Sequence, residues 1–223
     1  MSHPQVSVVI PVYNCEQYLG EAIASVLDQS GSSLELIVAD DGSTDGTARV
    51  ARSFGERVQY LHFQHRGQAA TLNSGIERAR GELLAFLDSD DRWPANTLSL
   101  RMAALARDLS LDMVFGHVRQ FYTPERSADR NHAVMPALVI GGMLIRAAAF
   151  HRVGPLNTAL RVGEFIDWHA RAAELGLKST TLPEITLERR IHGANLGIRE
   201  RGANVDYLTV VKAALDRRRG KPA

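Results

Sequence analysis

One cysteine, Cys15, stands in 223 residues. An intramolecular disulfide is excluded, and the single thiol fits a reducing compartment. No apolar run approaches the roughly 20 residues that a bilayer-spanning helix needs. Residues 1–5, Met-Ser-His-Pro-Gln, lack the basic and apolar regions of a secretory leader. Neither sign of charge dominates: 26 Lys and Arg against 25 Asp and Glu leave +1. Such a balance gives no global field for nucleic acid or membrane. Glycine signatures for nucleotides are missing as well. No Gly-x-Gly-x-x-Gly follows a strand, which argues against a dehydrogenase. A sugar nucleotidyltransferase would place a Gly-rich loop after its first strand, and here no glycine comes before Gly20. Internal repeats and low-complexity linkers are absent. The expectation is a cytoplasmic chain with no integral membrane segment and no nucleic-acid partner. The basic residues 217–221 leave a peripheral membrane contact open.

What is present is a globular composition, 45% hydrophobic, enough for one domain over residues 1–200 and a helical tail over 201–223. Strand and helix signals alternate through the first hundred residues. The β-branched run 6–12 reads as a buried strand. Leu19, Ile23, Val26 and Leu27 share one face of a helix within 15–29. Strands follow at 34–39, 58–62 and 83–87. Helices are expected at 44–54, capped by Ser43 with Asp45 behind, at 69–80, and from Pro94 to about 107. Beyond lie strands at 113–121, 138–145 and 182–191, a polar loop at 123–132, a helix at 164–175 stopped by Gly176, and a tail helix at 206–219.

Repeated strand–helix units predict a mostly parallel sheet with helices on both faces, and ligands beyond the strands' carboxyl ends. Three polar clusters fall at those ends: Tyr13-Asn14, Asp40-Asp41-Gly42-Ser43, and Asp88-Ser89-Asp90-Asp91. The last is the most informative, because three carboxylates within four residues repel one another and capping a helix needs only one. Spaced Asp-x-Asp, two of them can hold a hard divalent cation, and the cation a diphosphate.

Residues 6–14, 38–47 and 85–91, followed by Gly-Gln-Ala-Ala-Thr-Leu-Asn-Ser-Gly (67–75) and Arg-Ala-Arg-Gly-Glu (78–82), resemble the family-2 glycosyltransferases. The likeness is dense over about residues 5–95. It implies the GT-A fold: an α/β, Rossmann-like sheet whose nucleotide-binding half covers about 5–112, with a smaller mixed acceptor half at 113–200. It also implies sugar transfer from a nucleoside diphosphate, UDP foremost, usually with inversion and with Mn²⁺ or Mg²⁺. The acceptor stays open among saccharide, lipid carrier, peptide and small metabolite. Carried over by position, Pro11 and Tyr13 flank the nucleobase and Asp41 bonds its edge. Asn14 and Asn73 lie in matched stretches and join the nucleotide set. Asp88 meets the ribose or diphosphate, and Asp90 ligates the metal. The late stretch Arg190-Ile-His192 matches an Arg-x-His element, with His192 in the metal shell and Arg190 on the diphosphate.

One position departs from that pattern. Family members usually carry Glu-Asp, a later Asp and an Arg on a helix near the acceptor, the second residue being the base. Anchored on Glu164, Asp167 and Arg171, the base position holds Phe165, which accepts no proton. Glu164 or Asp167 is then the candidate base. Failing both, the chain is a weak or inactive nucleotide-sugar-binding protein.

Overall fold

The computed structural model describes residues 4–31, 33–123, 133–136, 138–193, 210 and 212. Most of the polar stretch 123–132, and the expected tail helix apart from Val210 and Lys212, lie outside the described residues.

The strand β1 (Val6–Val12) is buried at every position, as a strand covered on both faces must be. It lies between β2 (Leu34–Asp40) and β4 (Leu83–Phe86), parallel to both. β3 (Gln59–His62) adds parallel to β2. Pro11 is tolerated in this central strand because β4 stops pairing at Val9↔Phe86, so no partner waits where its missing N–H would point.

The second half extends the same sheet with mixed polarity. β7 (Leu144–Arg146) runs antiparallel to β4 and carries β5 (Met113–Tyr122) on its other side. β6 (Val134–Pro136) pairs with the middle of β5, and β8 (Ser179–Ile191) runs parallel to β5 with bulges between Phe115 and Val118.

Alternation along the strands feeds two cores. Val8, Ile10, Ala85 and Leu87 face α1 (Leu19–Leu27), α2 (Thr47–Arg52) and α4 (Thr97–Arg107). Val9, Leu84, Phe86 and Phe115 face α3 (Gln68–Ile76), α5 (Ala147–Val153) and α6 (Glu164–Glu174). Gly75 lets α3 press onto β1, since a Cβ there would lie 2.6 Å from Val9 Cγ1.

Several expectations need correction. α1 begins at Leu19, because 15–18 forms a turn in which Tyr18 and Leu19 N–H both donate to the Cys15 carbonyl. α2 begins at Thr47: Asp45 accepts the Thr47 N–H, while Ser43 Oγ is taken by Asn14 N–H. Pro94 lies ahead of α4, whose cap is Asn96 at φ 65°. The stretch 138–145 holds a 3-10 turn at Ile140–Gly142 before the short β7, and α5 and β6 were not anticipated. Gly176, at φ 72°, does stop α6: Leu177 N–H reaches the Ala172 carbonyl and Gly176 N–H the Ala173 carbonyl.

Candidate functional site

The loops after β1, β2 and β4 are tied together by their own polar groups. Asn14, at φ 49°, donates its N–H to Ser43 Oγ at 2.9 Å and accepts Thr44 N–H at 2.8 Å. Cys15 N–H reaches Thr47 Oγ1, and its Sγ lies 3.6 Å from the Ser89 carbonyl. Burial pushes the Cys15 thiol up to about 11, so it behaves as a small, unreactive packing group.

Asp40 and Asp41 divide their work. Asp40, fully buried, accepts Ser43 N–H and the Tyr60 hydroxyl, which holds the turn. Asp41 accepts Arg66 N–H at 2.8 Å and Gly67 N–H at 2.9 Å, so β2 also positions the loop entering α3. His65 Nδ1 stands 2.8 Å from Asp41 Oδ2. The same imidazole stacks on Tyr13, ring centroids 4.4 Å apart. Pro11 is buried within β1 and shapes the strand under this rim. Asn73 lies apart from the rim's contacts: both ends of its amide bond the Leu156 backbone, bracing the segment that leads to α6.

β8 delivers the other half of the site. Arg92 and Glu188 exchange backbone hydrogen bonds, and Asp91 accepts Arg190 N–H at 2.8 Å, zipping β8 onto the acidic loop. That register places His192 Nε2 2.9 Å from Asp90 Oδ2. Adjacent residues of a strand point opposite ways, and the two arginines separate accordingly. Arg190 is buried; its Nε donates to the Asp90 carbonyl, its Nη2 pairs with Glu21, and its guanidinium lies over Tyr18 and Phe121. Arg189 is exposed, and its charge only partly offsets the burial and like-charge repulsion that raise Asp88 and Asp91.

Carboxylates dominate the electrostatics. Burial, then the charge of Asp90, with a smaller push from Glu164, raises Asp88 to about 7 against the pull of Arg189. Burial and the neighbouring Asp88 raise Asp91 well above its ordinary value. Glu164, in the first turn of α6, is buried and raised for that reason. Asp167 is paired with Arg171 Nε at 3.0 Å. Phe165 is packed among Phe115, Trp168 and His169, inside the second core.

The donor set fits a hard cation in part. Ligands adjacent on an octahedral ion at about 2.1 Å stand about 3.0 Å apart, close to the 2.9 Å between Asp90 and His192. Among the described residues no group of three or more His, Cys, Asp or Glu could enclose a metal. Two protein donors plus oxygens of a phosphorylated ligand is the arrangement these residues allow. Sequence reasoning missed Arg189 and His65. Strand alternation at Arg189-Arg190 signals that the two point opposite ways but not which one faces out; nothing in the sequence marked His65.

The model of glycosyl transferase family 2 matches residues 7–165. An uncharacterized glycosyltransferase of Rickettsia conorii is 33% identical over 177 residues, 71% of this chain and 29% of that relative. The chain thus spans under a third of that relative's length. Among solved structures, S. aureus TarS 1–349 in complex with UDP-GlcNAc has a TM-score of 0.71 at 20% identity, covering 86% of this chain and 60% of that one. The mannosyltransferase PcManGT from Pyrobaculum calidifontis, in complex with GDP-Man and Mn²⁺, also gives 0.71 at 20% identity, covering 96% and 65%. The fold is the GT-A arrangement, an α/β layering around a mostly parallel central sheet. Among the described residues no helix is long and apolar enough to cross a membrane.

Proposed function

Because the chain belongs to glycosyl transferase family 2, we propose that it moves a sugar from a nucleoside diphosphate, UDP foremost, to a hydroxyl acceptor with inversion. The observation that carries this reading is the meeting of Asp90 and His192 at 2.9 Å beside Asp88, on the rim where β1 and β2 also end. The nucleotide-sugar complexes of the two structural neighbours support it.

Tyr13 stacks the base and Asp41, fixed by two backbone N–H groups, accepts from its edge. Asp88 holds the ribose or the near end of the diphosphate, and Arg189 faces its negative charge. Asp91 and Arg190 position rather than touch: they lock β8 to the acidic loop so that His192 stays beside Asp90. Asp90 and His192 would hold a divalent ion, Mn²⁺ or Mg²⁺, whose charge would neutralise the diphosphate as it leaves. Glu164 takes the proton of the acceptor hydroxyl as its oxygen bonds the anomeric carbon. The bond from that carbon to the diphosphate oxygen breaks, and its electron pair leaves with the diphosphate. Burial suits Glu164 to the task, because a raised pKa makes it a stronger base.

A second reading, nucleotide-sugar binding with little transfer, is favoured by Phe165, which occupies the usual base position and faces the core. Titration calorimetry with UDP, with and without Mn²⁺, tests the first requirement of both. Mn²⁺ is expected to tighten UDP binding to the wild type and not to the Asp90→Ala variant; an equal gain in the variant removes Asp90 as ligand. Release of UDP from a UDP-sugar by the wild type then separates transfer from binding.

A further inference from the structure

Exposed side chains on a rim usually sample several rotamers, yet His65 is held in one place by two unlike contacts. Its side chain is 58% exposed. Its ring lies on Tyr13 with centroids 4.4 Å apart and planes inclined by 22°. Its Nδ1 stands 2.8 Å from Asp41 Oδ2 and 3.1 Å from the Asp41 carbonyl. A flat heteroaromatic ring resting on a tyrosine, with a ring N–H aimed at a carboxylate, has the geometry of a nucleobase in a base slot. The slot does not depend on the histidine for its shape. Asp41 is anchored by the N–H groups of Arg66 and Gly67. Gly42, at φ +84°, brings the turn so close that a Cβ there would lie 3.0 Å from His65 N, so the loop is seated by its backbone. Only the imidazole need move to free Tyr13 and Asp41.

We propose that His65 fills the nucleobase slot of the free protein as a surrogate base, and that an incoming nucleotide displaces it. His65 thereby sets the affinity for the donor. The proposal rests on the assignment of Tyr13 and Asp41 to the base made above. A stacked aromatic pair and one hydrogen bond from an exposed ring are each weak, so the closure is easily reversed and its removal should tighten binding modestly.

Calorimetry with UDP on the wild type, His65→Ala and Tyr13→Ala decides it, together with the His65 ring resonances followed by NMR. His65 is exposed, so its substitution leaves the core intact. The expected result is UDP binding tighter by about three- to tenfold in His65→Ala, weaker in Tyr13→Ala, and a loss of Tyr13 ring-current shift at His65 on saturation with UDP. Unchanged or weaker binding in His65→Ala overturns the proposal, because the imidazole would then be neutral or a partner of the base. Wild-type affinity in Tyr13→Ala overturns it by taking the base off that ring. Failure of the wild type to bind UDP at all removes the functional reading and this inference with it.

Discussion

Replacing Glu164 by Gln is the sharpest test of the chemistry. The side chain sits in the first turn of α6, is buried, and raises Asp88 by its charge. Glutamine keeps the volume and removes both the charge and the basic oxygen. A positioned general base contributes about 10²–10⁴-fold, which at 1.36 kcal/mol per decade is about 2.7–5.4 kcal/mol of barrier. Stability should move the other way. A carboxyl whose folded pKa is raised by burial destabilises the fold once pH exceeds its ordinary value of 4.5. At neutral pH the Gln variant is therefore as stable as the wild type or more so, and misfolding cannot imitate loss of catalysis. Asp167→Asn should do the reverse: it strips Arg171 of its carboxylate partner and lowers stability with a smaller effect on turnover. The assay is single-turnover release of UDP from a UDP-sugar, beside UDP affinity by calorimetry. Turnover within threefold of wild type for Glu164→Gln, with a hundredfold loss for Asp167→Asn, would refute the assignment. If neither substitution slows release, the base comes from another element.

Arg189→Ala should weaken UDP binding with little change in melting temperature. Arg190→Ala should cost about 1–3 kcal/mol of stability, because it removes the donor to the Asp90 carbonyl and leaves Glu21 with Arg92 alone of its two arginine partners; equal effects on binding and folding in both would undo the division of roles. Phe165→Asp would place a charge among Phe115, Trp168 and His169 and should lose at least the roughly 3–5 kcal/mol of a buried Phe truncation, without gain in turnover; a stable, faster variant would mean that α6 presents this position to the site. Far from the rim, burial would raise the Glu35 carboxyl, but hydrogen bonds from Ser7 and Arg80 win and hold it below its ordinary 4.5. Its stabilisation is complete above that pH and fades as acid carries the solution through the depressed folded value. Thermal melts of Glu35→Gln should accordingly vary less with pH in that range than those of the wild type, and parallel curves would count against it.

The chain itself determined the parallel half of the fold. Apolar runs such as 6–12 and 83–87 lie where two helix layers bury them, and periodicity reports such burial directly. It also announced the rim, because the clusters at Tyr13, Asp40 and Asp88 each follow a strand and parallel strands end on one side. Tertiary structure alone decided which residue of each adjacent pair does what. Asp40 and Asp41 differ by one position, yet one is sealed against Tyr60 while the other meets the loop at 65–67. Arg189 and Arg190 are alike in sequence, and only the zipping of β8 to Arg92 turns one outward and the other onto Glu21. Asn73 sits in a matched stretch but is claimed by Leu156, 83 residues away. The reason is physical: alternation and propensity are set by neighbours along the chain. A side chain's partner is set by whichever distant strand or loop reaches its unsatisfied polar atoms first.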